Sequence, residues 1–443
     1  MELWDLPAAT AAGIPPTRSE RHDGRAGYDV LVLDAGTRQS LACTRSLGRA
    51  GLRIALGECF AEYDPALPVL SFRSRHSAHN AVFPSFATDA PAFADAVLAF
   101  VTEHPTRTVL PASDGSIAAL IPRRGELAAL GCRLALPPTE ALTVANSKQH
   151  TLDVARNLGI DHPPTLLLES PDDIPAMLRE FRFPLVLKPA SSWVHASMQR
   201  LQVAEVVNEV EAIRTARAFL AAGSLVLAQE WVGGRREGVT LFMADGEVTA
   251  AFAHLEHRTT PATGGASVVR ESIALPEDIN RASVQLVTAI GLEGLSEVEF
   301  RRDTAGRPYL MEINARLAGP IETALNCGVD FPLMVWQWTT GGPIEPVDSY
   351  LTGLRMRWVR GDMRWLRDNW SRVGRPDSMS RTRAMWTFLT EFARTPRVDC
   401  FDRRDLGPLL AEVLVTAAAV RNSRATAAKR FSTLDYEGAA GVR

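Results

Sequence analysis

Leu295-Ser-Glu-Val-Glu-Phe-Arg-Arg302, followed after a short Asp303-Thr-Ala-Gly-Arg-Pro308 break by Tyr309-Leu-Met-Glu-Ile-Asn314, reads as a β-hairpin. If its two-residue turn is Ala305-Gly306, Glu299 stands directly opposite Glu312, with the two side chains roughly 5 Å apart. Asn314, two residues on, shares the face of Glu312, while Met311 and Ile313 turn to the core. Two carboxylates and an amide therefore converge on one spot. Like charges at that distance repel, and a hard divalent cation relieves them; Mg²⁺ takes few protein oxygens and fills its remaining positions with water and phosphate. The competing reading is a solvated face paired with Arg301, Arg302 or Arg316.

The next signal is a scarcity. Of the 48 Lys and Arg residues, three are lysines, Lys148, Lys188 and Lys429, which leaves 45 arginines. A chain with so few lysines keeps them where a compact, rotatable ammonium differs from a rigid guanidinium fork. Lys148 opens a helix-like run, Asn146-Ser-Lys-Gln-His-Thr-Leu-Asp-Val-Ala-Arg-Asn-Leu158, and Lys188 ends an apolar run, Phe183-Pro-Leu-Val-Leu-Lys-Pro189.

At 443 residues the chain is expected to hold about three domains. Its net charge of -3 draws it to neither nucleic acid nor anionic lipid, and no apolar run reaches the ~18 residues of a membrane span. Cys43, Cys59, Cys132, Cys327 and Cys400 are odd in number and scattered, which speaks against a disulfide framework or a zinc site. A reducing cytoplasm is the expected setting.

From Tyr28 the pattern is βαβ: a strand to Leu33, Asp34-Ala-Gly-Thr37, a helix to Ala50, and a second strand, Leu52 to Leu56. The turn lacks the further glycines of a dinucleotide fingerprint, so it reads as a tight turn rather than an NAD site. Further strands are expected at Thr106 to Pro111, Phe183 to Lys188 and Ser224 to Val232, with a long helix over Ala204 to Ala222. Asp245-Gly246 marks another hairpin. Beyond about residue 345 the chain reads as irregular and rich in Arg and Trp, then helical from Asp405 to Val420.

In order and spacing, residues 28 to 345 resemble the ATP-grasp superfamily, in its carbamoyl-phosphate-synthetase-like branch of carboxylate-amine ligases. The resemblance implies α/β and α+β architecture. A flexible extension over 1–26 precedes a Rossmann-like domain over 27–138, then an ATP-grasp domain with antiparallel sheets over 139–345, hinged near 229–232. A C-terminal extension over 346–425 and a disordered tail over 426–443 follow. Lys148 and Lys188 look like the lysines that hold the α- and β-phosphates of ATP. Gln229-Glu-Trp-Val232 resembles the hinge, with Glu230 and the backbone of Trp231 and Val232 at the adenine edge, and Glu237 is similar to the acid that binds the ribose. Glu299, Glu312 and Asn314 match the Mg²⁺ (or Mn²⁺) ligands, and Arg316 resembles the arginine that steadies the transferred phosphoryl group. The lid after Lys-Pro departs from the family: Ala190-Ser-Ser-Trp-Val-His-Ala-Ser197 has no glycine.

Arg270 is a candidate for binding a substrate carboxylate, because a planar guanidinium matches a carboxylate bidentately, with a surface arginine as the alternative. His254 and His257 lack metal-like spacing and read as supporting residues. Trp358, Trp365 and Trp370 are expected to anchor the segment Leu354 to Arg375 to the body. The implied reaction activates a small-molecule carboxylate, with amino acids among the candidates, as an acyl phosphate on Mg-ATP and joins it to an amine. No nucleic-acid or membrane partner is implied, and a homodimer remains open. The alternatives are a non-catalytic ATP-binding regulator and a carboxyphosphate-using carboxylase or carbamoyl-transfer enzyme. Lys429, in Ala-Ala-Lys-Arg, is not in the context of a biotin carrier.

Overall fold

A computed structural model describes residues 27–421 except 60–66, 191–192, 195–198, 202, 263, 373–374, 377 and 420. The expected extension at 1–26, the tail at 426–443 and most of the lid at 190–197 lie outside the described residues.

Five parallel strands open the chain: β1 (Tyr28–Val32), β2 (Ile54–Cys59), β3 (Ser77–Phe83), β4 (Thr106–Leu110) and β5 (Arg133–Leu134), in the order β3-β2-β1-β4-β5. The helix Arg38–Arg49 follows β1 through a tight turn. Gly36 N donates to the Glu58 carboxylate at 2.5 Å, and a Cβ at Gly36 would stand 2.8 Å from that oxygen. The turn is tight and carries its own anion, in keeping with its missing glycines.

A second, smaller sheet is antiparallel, in the order β10-β7-β11-β6, from β6 (Thr165–Leu168), β7 (Leu185–Pro189), β10 (Ala204–Val206) and β11 (Val226–Glu230). A two-stranded ribbon, β8 (Trp193–Val194) and β9 (Gln199–Arg200), interrupts it in sequence. The expected helix over Ala204 to Ala222 is divided. Its first three residues form β10, and the helix itself runs Glu209–Ala221 from an Asn208 cap that accepts from Glu211 N. The cap explains the boundary, since an asparagine side chain there satisfies an orphan amide of the first turn.

The large sheet has six strands in the order β16-β15-β12-β13-β14-β17: β12 (Arg235–Ala244), β13 (Glu247–Thr260), β14 (Ala266–Ile273), β15 (Gly294–Arg302), β16 (Pro308–Asn314) and β17 (Arg355–Arg357). Both expected hairpins, β12–β13 and β15–β16, belong to it. The segment beyond 345 is more ordered than its composition suggests. It supplies β17 to the sheet and two helices, Val359–Ser371 and Arg381–Arg394, where an irregular stretch was expected, and then a helix over 407–419. Trp358 and Trp365 are buried, while Trp370 is exposed.

Two cores join the parallel sheet to the large sheet; one contains Leu31, Val109, Val239 and Val298, the other Val32, Leu56, Phe252 and Met356. The small sheet has its own core, built on Leu168, Leu185, Leu187 and Val226. The small sheet (the cap) and the joined parallel and large sheets (the body) are thus packed separately, and the cleft between them is the natural place for a ligand. All five cysteines are buried, and among the described residues no helix is long and apolar enough to cross a membrane.

Candidate functional site

The cleft holds a cavity of about 280 Å³. From the small sheet it is lined by Val186 and Lys188 of β7 and Gln229 and Glu230 of β11. The large sheet contributes Glu237 and Gly238 of β12, His254 and Glu256 of β13, Glu299 and Arg301 of β15 and Glu312 of β16. Lys148, at the start of the helix Lys148–Asn157, reaches the same cavity. Two residues distant in sequence are placed side by side here: Lys148 Nζ lies 3.4 Å from Glu312 Oε2.

The hairpin register puts Glu299 opposite Glu312, Glu297 opposite Asn314 and Val298 opposite Ile313. The turn that produces it differs from the expected one. Arg302 pairs with Pro308 and Phe300 with Leu310, so five residues, 303–307, form the connection, and an irregularity between Glu299 and Phe300 shifts the register. The longer turn and the bulge offset each other, and the two carboxylates face each other after all.

Glu297, two residues before Glu299 and so on the same face, was missed in the sequence although the period of two points to it. Asn314 Nδ2 donates to Glu299 Oε1 at 2.7 Å and to Glu297 Oε2 at 3.3 Å. His254 Nε2 lies 3.6 Å from Glu297 and 3.9 Å from Glu256. Gly238 pairs with His254 across β12 and β13, and a Cβ there would meet the imidazole at 2.2 Å, so the position of the ring requires glycine. Burial and Arg270 push His254 down to about 3, keeping it neutral.

The four acids carry unequal loads. Burial, then Glu312, Glu297 and Glu256, raise Glu299 well above the carboxylate range, and burial with Glu256 lifts Glu297 to about 8. Burial also raises Glu256. In Glu312 the burial effect is outweighed by Lys148, Lys188 and Arg316, which hold it below its usual value. Burial lowers Lys188 to about 8 despite Glu312 beside it.

Other expected site residues are placed less openly. Glu237 lines the cavity, but Arg302 Nε donates to it at 2.9 Å and an Arg235 nitrogen lies at 3.1 Å. Glu230, Trp231 and Val232 lie along the cavity, with the Val232 carbonyl accepting from Arg301 Nη1. Arg316 binds Asp114 of the N-terminal unit at 2.5 Å. Although burial works against its charge, Asp114 and Glu312 hold its pKa above the usual value. Arg270 corrects the sequence reading. It is fully buried, donating to Asp399 at 2.7 and 3.2 Å and to Thr323 Oγ1 at 2.6 Å, and the fork expected to meet a substrate carboxylate already holds one from the C-terminal segment. His257 pairs with Glu271 at 2.9 Å.

Among the described residues no group of three or more His, Cys, Asp or Glu side chains is arranged to hold a metal. The oxygen donors Glu299, Glu312 and Asn314 nevertheless fit a hard divalent cation that completes its shell with water and phosphate; Glu299 is raised first by burial and then by its acidic neighbours, and a cation would offset both.

A family model described as ATP-grasp in the biosynthetic pathway with Ter operon matches residues 239–361, from β12 past β17. A D-alanine–D-alanine ligase of Methylococcus capsulatus is 26% identical over 196 residues, 40% of this chain and 60% of that ligase, so the match spans less than two thirds of the relative's length. The L-amino acid ligase from Bacillus licheniformis superposes with a TM-score of 0.56 at 18% identity, over 73% of this chain and 78% of that one. A biotin carboxylase from Campylobacter jejuni gives 0.58 at 15% identity, over 74% and 75%. The family match over residues 239–361, the two-sheet cleft and the carboxylate hairpin agree that this part of the chain is an ATP-grasp domain.

Proposed function

We propose that the protein is an ATP-dependent carboxylate–amine ligase, with amino acids as the substrate class. The observation that carries this reading is a single cavity with Lys148 and Lys188 on one side and the opposed Glu299 and Glu312 beside them. The ligases of D-alanine and of L-amino acids among its relatives and neighbours favour amino acids.

In this reading the two ammonium groups hold the nucleotide phosphates, with Glu230, Trp231 and Val232 at the base and Glu237 near the sugar. A carboxylate has more lone pairs than its two arginine partners use, so Glu237 retains capacity for a ribose hydroxyl. Glu299, Glu312 and Asn314 would hold Mg²⁺ or Mn²⁺, which supplies charge neutralisation for phosphoryl transfer. Arg316 meets the charge developing on the transferred group. A substrate carboxylate oxygen attacks the γ-phosphorus and ADP leaves. The amine then attacks the acyl carbon, loses a proton and expels phosphate. Position and charge do this work, and no covalent enzyme group is needed.

The test is incubation with ATP, Mg²⁺ and panels of amino acids and small acids, reading ADP release and, with hydroxylamine added, hydroxamate. An acyl phosphate is electrophilic enough to be intercepted, so both products are expected with the right acid. ADP release independent of every added acid, with no hydroxamate, would leave a bare ATPase or a nucleotide-binding regulator.

A further inference from the structure

Glu205 of β10 lines the cavity and is 8% exposed. It stands opposite Val186 of β7, on the face that also presents Lys188. Its Oε2 accepts from Arg372 Nη2 at 2.6 Å, whereas Oε1 is buried and has no hydrogen-bond partner among the described residues. A buried acceptor left unpaired is costly, so the position calls for a donor that arrives with a ligand.

The surroundings indicate which part of the ligand. Val186 stands opposite Glu205, and Leu201, Val203 and Trp231 line the same cavity; such apolar walls suit a flat aromatic base, while the lysines suit phosphates. Arg375 joins Glu211 at 2.7 and 3.2 Å and the Glu205 carbonyl at 3.3 Å, so the C-terminal segment grips this sheet at two places and fixes the glutamate's direction. A single free carboxylate oxygen matches the exocyclic amine of adenine. Guanine offers a carbonyl oxygen at that ring position, and two acceptors repel.

We propose that Glu205 reads the base of the bound nucleotide by accepting from the adenine amine, and that Arg372 of the C-terminal segment is the residue that positions it. The proposal rests on the nucleotide reading above.

The test compares, by calorimetry on the full chain, ATP with purine riboside triphosphate, which lacks the amine. Glu205→Ala should weaken ATP about tenfold, the worth of a hydrogen bond to a charged group, and leave the amine-free nucleotide at the parental affinity. Arg372→Ala should weaken ATP alone, by a smaller factor, and Arg372→Lys should restore part of it. If Glu205→Ala melts early, Arg372→Ala, altered nearer the surface, carries the same comparison. Unchanged ATP affinity, or equal loss of both nucleotides, would overturn the proposal. A parent protein that binds neither nucleotide would overturn the nucleotide reading and this assignment with it.

Discussion

Glu299 and Glu312 face each other across β15 and β16, yet Glu299 is raised well above the carboxylate range while Glu312 is held below it. Lys148, 3.4 Å from Glu312, is the visible source of the asymmetry, with Lys188 and Arg316 adding to it. Around Glu312 three cations outweigh burial; around Glu299 burial and three neighbouring acids outweigh Arg236.

Glu299→Gln should therefore stabilise the metal-free protein at neutral pH and abolish metal-dependent turnover, whereas Glu312→Gln should destabilise it by removing the buried carboxylate that Lys148 and Lys188 share. The sign with pH follows from the direction of the shift. A folded pKa above the unfolded one makes the ionised form a cost that grows as pH rises, so the gap between Glu299→Gln and the parent should widen with pH and close on acidification. Denaturant titrations across pH check this, and a gap that widens toward acid would refute it.

Lys188, lowered by burial to about 8, should lose its proton just above neutrality, so ATP affinity should fall as pH passes 8. Lys188→Met should bind ATP more weakly by about 1.5 to 3 kcal/mol and lose that step in the profile. Stability of the nucleotide-free parent should rise between pH 8 and the unfolded value of 10.5, where the unfolded chain holds the proton and the folded one does not. Calorimetry and melting over this range read both effects.

Arg270→Ala should destabilise the fold by about 3 to 5 kcal/mol, because Asp399 is buried and would lose one of its two guanidinium partners among the described residues, keeping Arg38. A substrate-binding arginine would instead change KM and leave the melting temperature alone. Chemical denaturation beside steady-state kinetics separates the two.

Arg316→Ala should suppress hydroxamate formation far more than ATP binding, since the developing phosphoryl charge loses its partner. Asp114→Asn weakens the hold on Arg316 and should alter turnover without removing the guanidinium. Equal loss of ATP binding and turnover in Arg316→Ala would make this arginine a structural tie between the N-terminal unit and β16.

Short-range periodicity and residue chemistry were legible without a fold. Alternation along 295–302 and 309–314 placed Glu299, Glu312 and Asn314 on one face, and scarcity marked Lys148 and Lys188. These features survive small errors of turn length, as the five-residue connection and its compensating bulge illustrate. Tertiary structure decided how each charge is answered. Whether Arg270 meets a substrate or Asp399, whether Glu237 is open or clasped by Arg302, and whether Arg316 leans on Asp114 depend on which distant segments fold against them. The same is true of β17, three residues without a strand's usual run, which exist as a strand because the edge of β14 offers unpaired backbone groups. An arginine's identity states that it needs an anion, and only the folded chain, by excluding water and bringing remote carboxylates within reach, settles which one.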